Sequence, residues 1–113
     1  MASPRVLLPE RMAIMGIYYN PEDYGLTVIG EVERGEPYQW DGVVAWKHED
    51  GRVLAGKDSV CSCYSPFEWC DGVEDLLHIT DAAQIGALLD DAYFDVSAPD
   101  RADLLNAVRK ELS

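Results

Sequence analysis

The chain has 113 residues, nearly half of them apolar, and 21 acidic against nine basic side chains give it a net charge of −12. This length fits one domain that can bury most of its apolar surface, and the three Trp, six Tyr and two Phe argue against disorder. The charge argues against direct nucleic-acid binding, and no apolar run nears the roughly 18–20 residues of a membrane span.

In chain order, "MASPRVLLPERMAIMG" has charges on both sides of a short apolar run, unlike a signal peptide, which points to the cytosol. Residues 1–15 are read as a weakly ordered arm, with Met12 and Met15 as alternative starts, ahead of a single α+β domain over 16–113. "GLTVIGEVE" (Gly25 to Glu33) predicts a strand with Leu26, Val28 and Val32 on one buried face, and "RGEP" a turn. "PYQWDGVVAWKHEDGRVLAGK" predicts a hairpin in which Tyr38, Trp40, Val44 and Trp46 share a parity and Asp50-Gly51 make the turn. Gly42, inside the first of these strands, suggests a bulge or the close approach of another backbone.

The stretch "DSVCSCYSPFEWC" (Asp58 to Cys70) holds all three cysteines. Ser65, Pro66 and Glu68 have the spacing of a capping box with proline at the first helical position, so a short helical turn is expected there. Phe67 and Trp69 project from it, and at least one should anchor the loop to the sheet. As metal ligands, Cys61, Cys63, Cys70 and His78 give C-x-C-x6-C-x7-H, which lacks paired C-x2-C knuckles and splays the first two thiols. A disulfide is disfavoured by a cytosolic setting, and a nucleophilic Cys63 by the absence of a nearby cation. The remaining reading is of small soft side chains packed beneath a tight loop, with no metal or cofactor.

Further on, "TDAAQIGALLDDAY" places Ala82, Ile85, Leu88, Leu89 and Ala92 on one helical side, capped by Thr80 or Asp81. "SAPDRADLLNAVRKEL" repeats the pattern with Leu104, Leu105, Val108 and Leu112, a Ser97–Asp100 capping box, and Arg109 and Lys110 in the last turn. Helices are thus expected near residues 80–92 and 98–112. Strands followed by helices predict an α+β fold: a three- to four-stranded antiparallel meander, from about Gly25 to Lys57, with the two amphipathic helices packed on one face.

Catalytic signals are sparse. His48 and His78 stand isolated, no glycine-rich phosphate loop or nucleophile elbow occurs, and the abundance of Asp and Glu empties carboxylate pairing of meaning. Tyr18, Tyr19, Tyr24, Tyr38, Trp40 and Trp46 lack a basic groove that would recommend them for stacking bases, and are read as core and rim packing. No Lys or Arg falls between Lys57 and Arg101, an interval with ten Asp and Glu. Such a field serves solubility and favours encounter with a basic partner.

"YYNPEDYGLTVIGEVE" and "WDGVVAWKHEDGRVLAGKDSVCSCYSPFE" resemble a family of small proteins encoded by bacteriophages of actinobacteria, over roughly Ile17 to Glu68. The shared elements are a YY-x-PE-x-x-GL start, a V-x-W strand and a CSC-x-SPFE loop, to which Cys61, Cys63, Ser65, Pro66, Phe67 and Glu68 conform and Cys70 does not belong. The resemblance implies no enzyme activity, cofactor or catalytic residues. It implies a non-enzymatic phage accessory protein acting on a host or phage protein in the host cytoplasm, in host takeover or counter-defence. The alternatives are a zinc- or thiol-dependent protein using the cysteine loop, a DNA-mimic inhibitor, and a virion or assembly component.

Overall fold

A computed structural model describes residues 16–36, 38–61, 65–92 and 94–113. The expected arm over residues 1–15, with Met12 and Met15, lies outside the described residues, as does Cys63. Four strands form one antiparallel sheet in sequential order: β1 (Leu26–Glu36), β2 (Gln39–His48), β3 (Val53–Cys61) and β4 (Leu77–Ile79). Helices α1 (Ala82–Asp90) and α2 (Ala98–Leu112) follow, so the chain is α+β, as the order of patterns predicts. The short β4 was not legible as a strand. It pairs Leu77, His78 and Ile79 with Ala55, Leu54 and Val53 and extends the sheet beyond Lys57.

The sheet is covered on both sides, which explains why β2 is buried without interruption from Asp41 to Trp46. On one side Val43, Ala45, Val53 and Ala55 meet Ile85 and Leu89 of α1 and Leu104 and Val108 of α2. Leu88, Ala92, Leu105 and Leu112 pack partly buried around this core, so the stripes read from the sequence do face the sheet. On the other side Val44, Trp46 and Leu54 meet Ile17, Leu26, Phe67, Cys70 and Leu76. This second cover is built from the segment before β1 and the loop after β3.

The helices begin as their sequences require. Asp81 caps α1, its carboxylate accepting the Ala83 N–H at 2.9 Å, and Gln84 completes the box by accepting from the Asp81 N–H at 3.0 Å. Ser97 caps α2 by accepting the Asp100 N–H at 3.2 Å. Lys47 and Lys57 reach from the sheet to Glu111 in the last turn of α2 and to Asp91 just past the end of α1; surface pairs of this kind contribute at most about 1 kcal/mol each.

Strand β1 departs from its expected pattern. Leu26 lies in the core with Trp46, Val32 in the core with the helices, and Val28 is exposed. The cause is an irregularity between Val28 and Gly30: Val28 pairs with Trp46 and Gly30 with Ala45, which leaves Ile29 as an extra residue. One inserted residue reverses the facing of everything after it, so a single parity cannot hold across the strand. Gly30 then lies directly under α2, where a Cβ would sit 3.2 Å from Leu104 Cδ1. β1 also runs on through Arg34, Gly35 and Glu36, paired with Asp41, Trp40 and Gln39, where a turn was expected.

The bulge suggested at Gly42 is therefore on the neighbouring strand. What Gly42 accommodates is a side chain rather than a backbone: the Trp40 ring folds over it, and a Cβ there would fall 2.4 Å from the indole. Trp40, Val44 and Trp46 do share a face, whereas Tyr38 sits in the turn, exposed.

Candidate functional site: an aromatic face rimmed by carboxylates

The side of the sheet opposite α1 and α2 carries a connected set of aromatic rings. Its floor is Trp46, fully buried, with Phe67 5.2 Å away edge to face. From Phe67 the contacts run outward to Trp40 at 6.1 Å, Tyr18 at 6.4 Å and Trp69 at 6.1 Å, and from Tyr18 to Trp40 at 5.0 Å and Tyr19 at 5.2 Å. Phe67 is inaccessible to solvent, while Trp69 and Tyr19, at the ends of the set, are 51% and 54% exposed. Large rings held partly in water by a rigid base are the residues that dominate protein interfaces.

Local structure places these rings. Ile17, fully buried, pins the segment before β1, and the Asn20 N–H bonds the Gly16 carbonyl at 2.9 Å, so Tyr18 and Tyr19 are presented on a closed turn. The loop after β3 is fixed by a turn closed by the Glu68 N–H on the Ser65 carbonyl at 3.1 Å. Pro66 and Phe67 are its central residues, and Phe67 has a φ of 61°. Proline followed by a left-handed residue is the backbone pattern of a type II turn, in which glycine usually takes the second place. A bulky residue there is strained by roughly 1–3 kcal/mol; the burial of its ring and a bond from its N–H to Asp58 Oδ2 at 2.7 Å offset this.

The helical turn expected after Ser65 is thus replaced by a β-turn. The Glu68 carboxylate does reach back to the Ser65 N–H, at 2.9 Å, as a capping box requires. A left-handed Phe67 cannot continue a right-handed helix, which is why the signature stops at one turn. Of the two candidate anchors, Phe67 takes the role and Trp69 is left facing outward.

Carboxylates border the rings. Glu31 and Glu33, opposite Val44 and Gly42 on β1, lie on the aromatic side and are exposed, and Glu68 and Asp71 flank the loop. Tyr18 donates its hydroxyl to Glu31 Oε2 at 2.9 Å. Burial, then this bond and the charges of Glu31 and Glu33, push the phenol well above its ordinary range, so it stays a neutral donor.

Among the described residues, Cys61, Cys70, His48 and His78 do not converge. Cys61 is exposed at the end of β3, opposite Gln39, whereas His78 lies opposite Leu54; seven residues of strand separate them, about 23 Å. Cys70 is buried in the aromatic core with its thiol donating to the Gly72 carbonyl at 3.1 Å. Burial pushes that thiol up to about 11, and Asp75 and Asp71 push the same way. Among the described residues no group of three His, Cys, Asp or Glu is placed to share an ion.

One polar cluster was missed by sequence reasoning. On the helix-bearing side, beyond the helices, Asp41 is buried and accepts from Gln39 Nε2 at 3.0 Å and from the Ser59 hydroxyl, and Gln39 also reaches Ser59 at 3.1 Å. His48 stands seven residues along β2 from Asp41, about 23 Å away, so no imidazole joins this serine. The cluster fastens β2 to β3. Only tertiary pairing brings these three residues together, and no local motif marks them.

A comparison with family profiles matches residues 15–113 to a domain of unknown function, DUF7574. No curated protein and no solved structure matches the chain. No helix among the described residues is long and apolar enough to cross a membrane.

Proposed function

We propose, from the premise that the chain belongs to the DUF7574 family, that it is a non-enzymatic module which docks a protein partner on its aromatic face. The observation that carries this reading is the ring set running from buried Trp46 and Phe67 to exposed Tyr19 and Trp69. Fully buried Phe67, 6.1 Å from Trp69, gives the exposed indole a rigid base. The acidic rim and net charge of −12 favour a partner with a basic surface and a faster encounter at low salt. The likeness to actinobacteriophage proteins supports a setting in the host cytoplasm and a role in host takeover or counter-defence.

The experiment is a comparison of captures from host lysate. Wild type, the double variant Tyr19→Ser/Trp69→Ser and the helix-side variant Asp103→Asn are used as baits, after unfolding curves show that all three are folded. A partner retained by wild type and Asp103→Asn and lost by the double variant supports the reading. Equal retention by all three baits overturns it.

A further inference from the structure

Two rings of the aromatic face stand open to solvent on a fixed base: Tyr19 is 54% and Trp69 51% exposed, in contact with Tyr18 and Phe67 respectively. The rings around them are held in place. The Trp40 indole lies over Gly42, where a Cβ would fall 2.4 Å from it, and the Tyr18 hydroxyl is tied to Glu31. Phe67 is fully buried, with Tyr18 6.4 Å and Trp69 6.1 Å away. A ligand must therefore match rings that are already set, and a stiff segment does so with the smallest loss of its own freedom.

Each exposed ring also carries a donor. The Tyr19 hydroxyl and the Trp69 indole N–H make no hydrogen bond among the described residues. A helix has already used its carbonyls internally, whereas a polyproline II segment bonds none of its own and presents them beside flat proline rings. Ring faces with donors at their edges match such a segment on both counts, as in other aromatic-lined surfaces that take proline-rich chains. One turn of that helix advances about 9 Å, so successive turns reach rings that stand two contacts apart, as Tyr18 and Trp69 do across Phe67.

The rim sets the charge of the occupant. Glu31 and Glu33 are exposed on the same side of the sheet, and Tyr18 bonds Oε2 of Glu31. A guanidinium pairs with carboxylates in a planar fork, which directs an arginine beside the prolines to these two residues. Resting on the docking role of the aromatic face, we infer that its occupant is a proline-rich segment of a protein partner, in the polyproline II form and flanked by arginine. The prolines lie on Tyr19 and Trp69, and the arginine lies towards Glu31 and Glu33.

The test titrates a peptide of eight prolines preceded by two arginines into the full chain, followed by calorimetry and by the indole N–H resonance of Trp69. The expected result is binding that shifts this resonance, falls about tenfold in Glu31→Gln/Glu33→Gln and is lost in Tyr19→Ser/Trp69→Ser, with unfolding curves showing both variants folded. A peptide with Gly-Ser repeats in place of the prolines carries the same charge without the stiffness and should bind about tenfold more weakly. Failure of the proline peptide to bind, equal binding of the Gly-Ser peptide, or tighter binding of a basic amphipathic helix overturns the inference. If lysate capture still depends on Tyr19 and Trp69 in that case, the docking role stands with a different occupant. If the proline peptide binds while capture ignores the two rings, the docking role falls instead.

Discussion

The carboxylate of Asp58 on β3 accepts the backbone N–H of Phe67 at 2.7 Å while its other oxygen accepts the Ser59 N–H at 2.8 Å. One side chain thus ties the strand to the turn whose left-handed Phe67 props the aromatic face. Hydrogen bonds to a charged acceptor contribute about 1.5–3 kcal/mol, and their loss leaves the donor unpaired. Asp58→Ala is expected to destabilise the fold by about that amount in urea titrations with an unchanged slope. Asp58→Asn keeps an oxygen acceptor and should lose less. An alanine variant as stable as wild type would mean that the ring alone holds the turn.

Trp46 is fully buried and its indole Nε1 has no hydrogen-bond partner among the described residues. Its contribution is therefore packing. Trp46→Ala should cost about 3–5 kcal/mol through lost burial and the cavity left under Phe67. Trp46→Phe removes no bond and fills much of the same space, so a loss nearer 1–2 kcal/mol is expected. Similar large losses for both, by chemical unfolding, would show that the N–H carries weight.

How much of this was legible in the sequence depended on distance along the chain. The helix stripes and caps at Asp81 and Ser97 are set by residues within one turn of each other, and they were readable. The hairpin at Asp50-Gly51 was readable for the same reason. The extra residue at Ile29 was not, because an irregularity leaves no mark in a run of β-branched residues and shows only in the pairing with β2. The aromatic face failed on the same ground. Tyr18, Trp40 and Phe67 lie far apart in sequence, and nothing local says which of Phe67 and Trp69 turns inward.

Asp50 yields a pH prediction. It accepts from the Arg52 backbone at 3.0 Å, lies 3.0 Å from His48 Nδ1 and accepts from Arg52 Nε at 2.8 Å, and these, with the backbone bond foremost, lower its carboxyl to about 2. A carboxyl lower in the folded state stabilises the fold above its unfolded value near 4 and loses that contribution as pH falls from about 4 to 2. Asp50→Asn should remove this part of the acid sensitivity. Superimposable stability profiles for the two proteins between pH 4 and 2 would exclude the role.

The buried thiol behaves in the opposite sense. Cys70 is raised to about 11 in the fold, so its contribution is complete below the ordinary thiol value near 8.5 and is lost as pH rises towards 11. At pH 8 exposed Cys61 should react with a thiol reagent, and Cys70 should not until the protein unfolds. Cys70→Ser should leave the number of fast-reacting thiols unchanged and cost about 1 kcal/mol, since a hydroxyl can still donate to Gly72. A fall in fast-reacting thiols would place Cys70 within reach of solvent.

The extra residue in β1 and the glycine after it have a consequence for how the hairpin finds its alignment. Strands bearing many β-branched residues can pair out of register, and a slip of two keeps every side chain on its proper side. In this chain such a slip would bring Val28 or Val32 to the place of Gly30, where even a single Cβ stands 3.2 Å from Leu104. A misaligned hairpin would set a valine against Leu104, and α2 would have to shift to pack over it. Helix α2 thereby acts as a proofreader of β1, favouring the alignment in which a residue without a side chain lies beneath it.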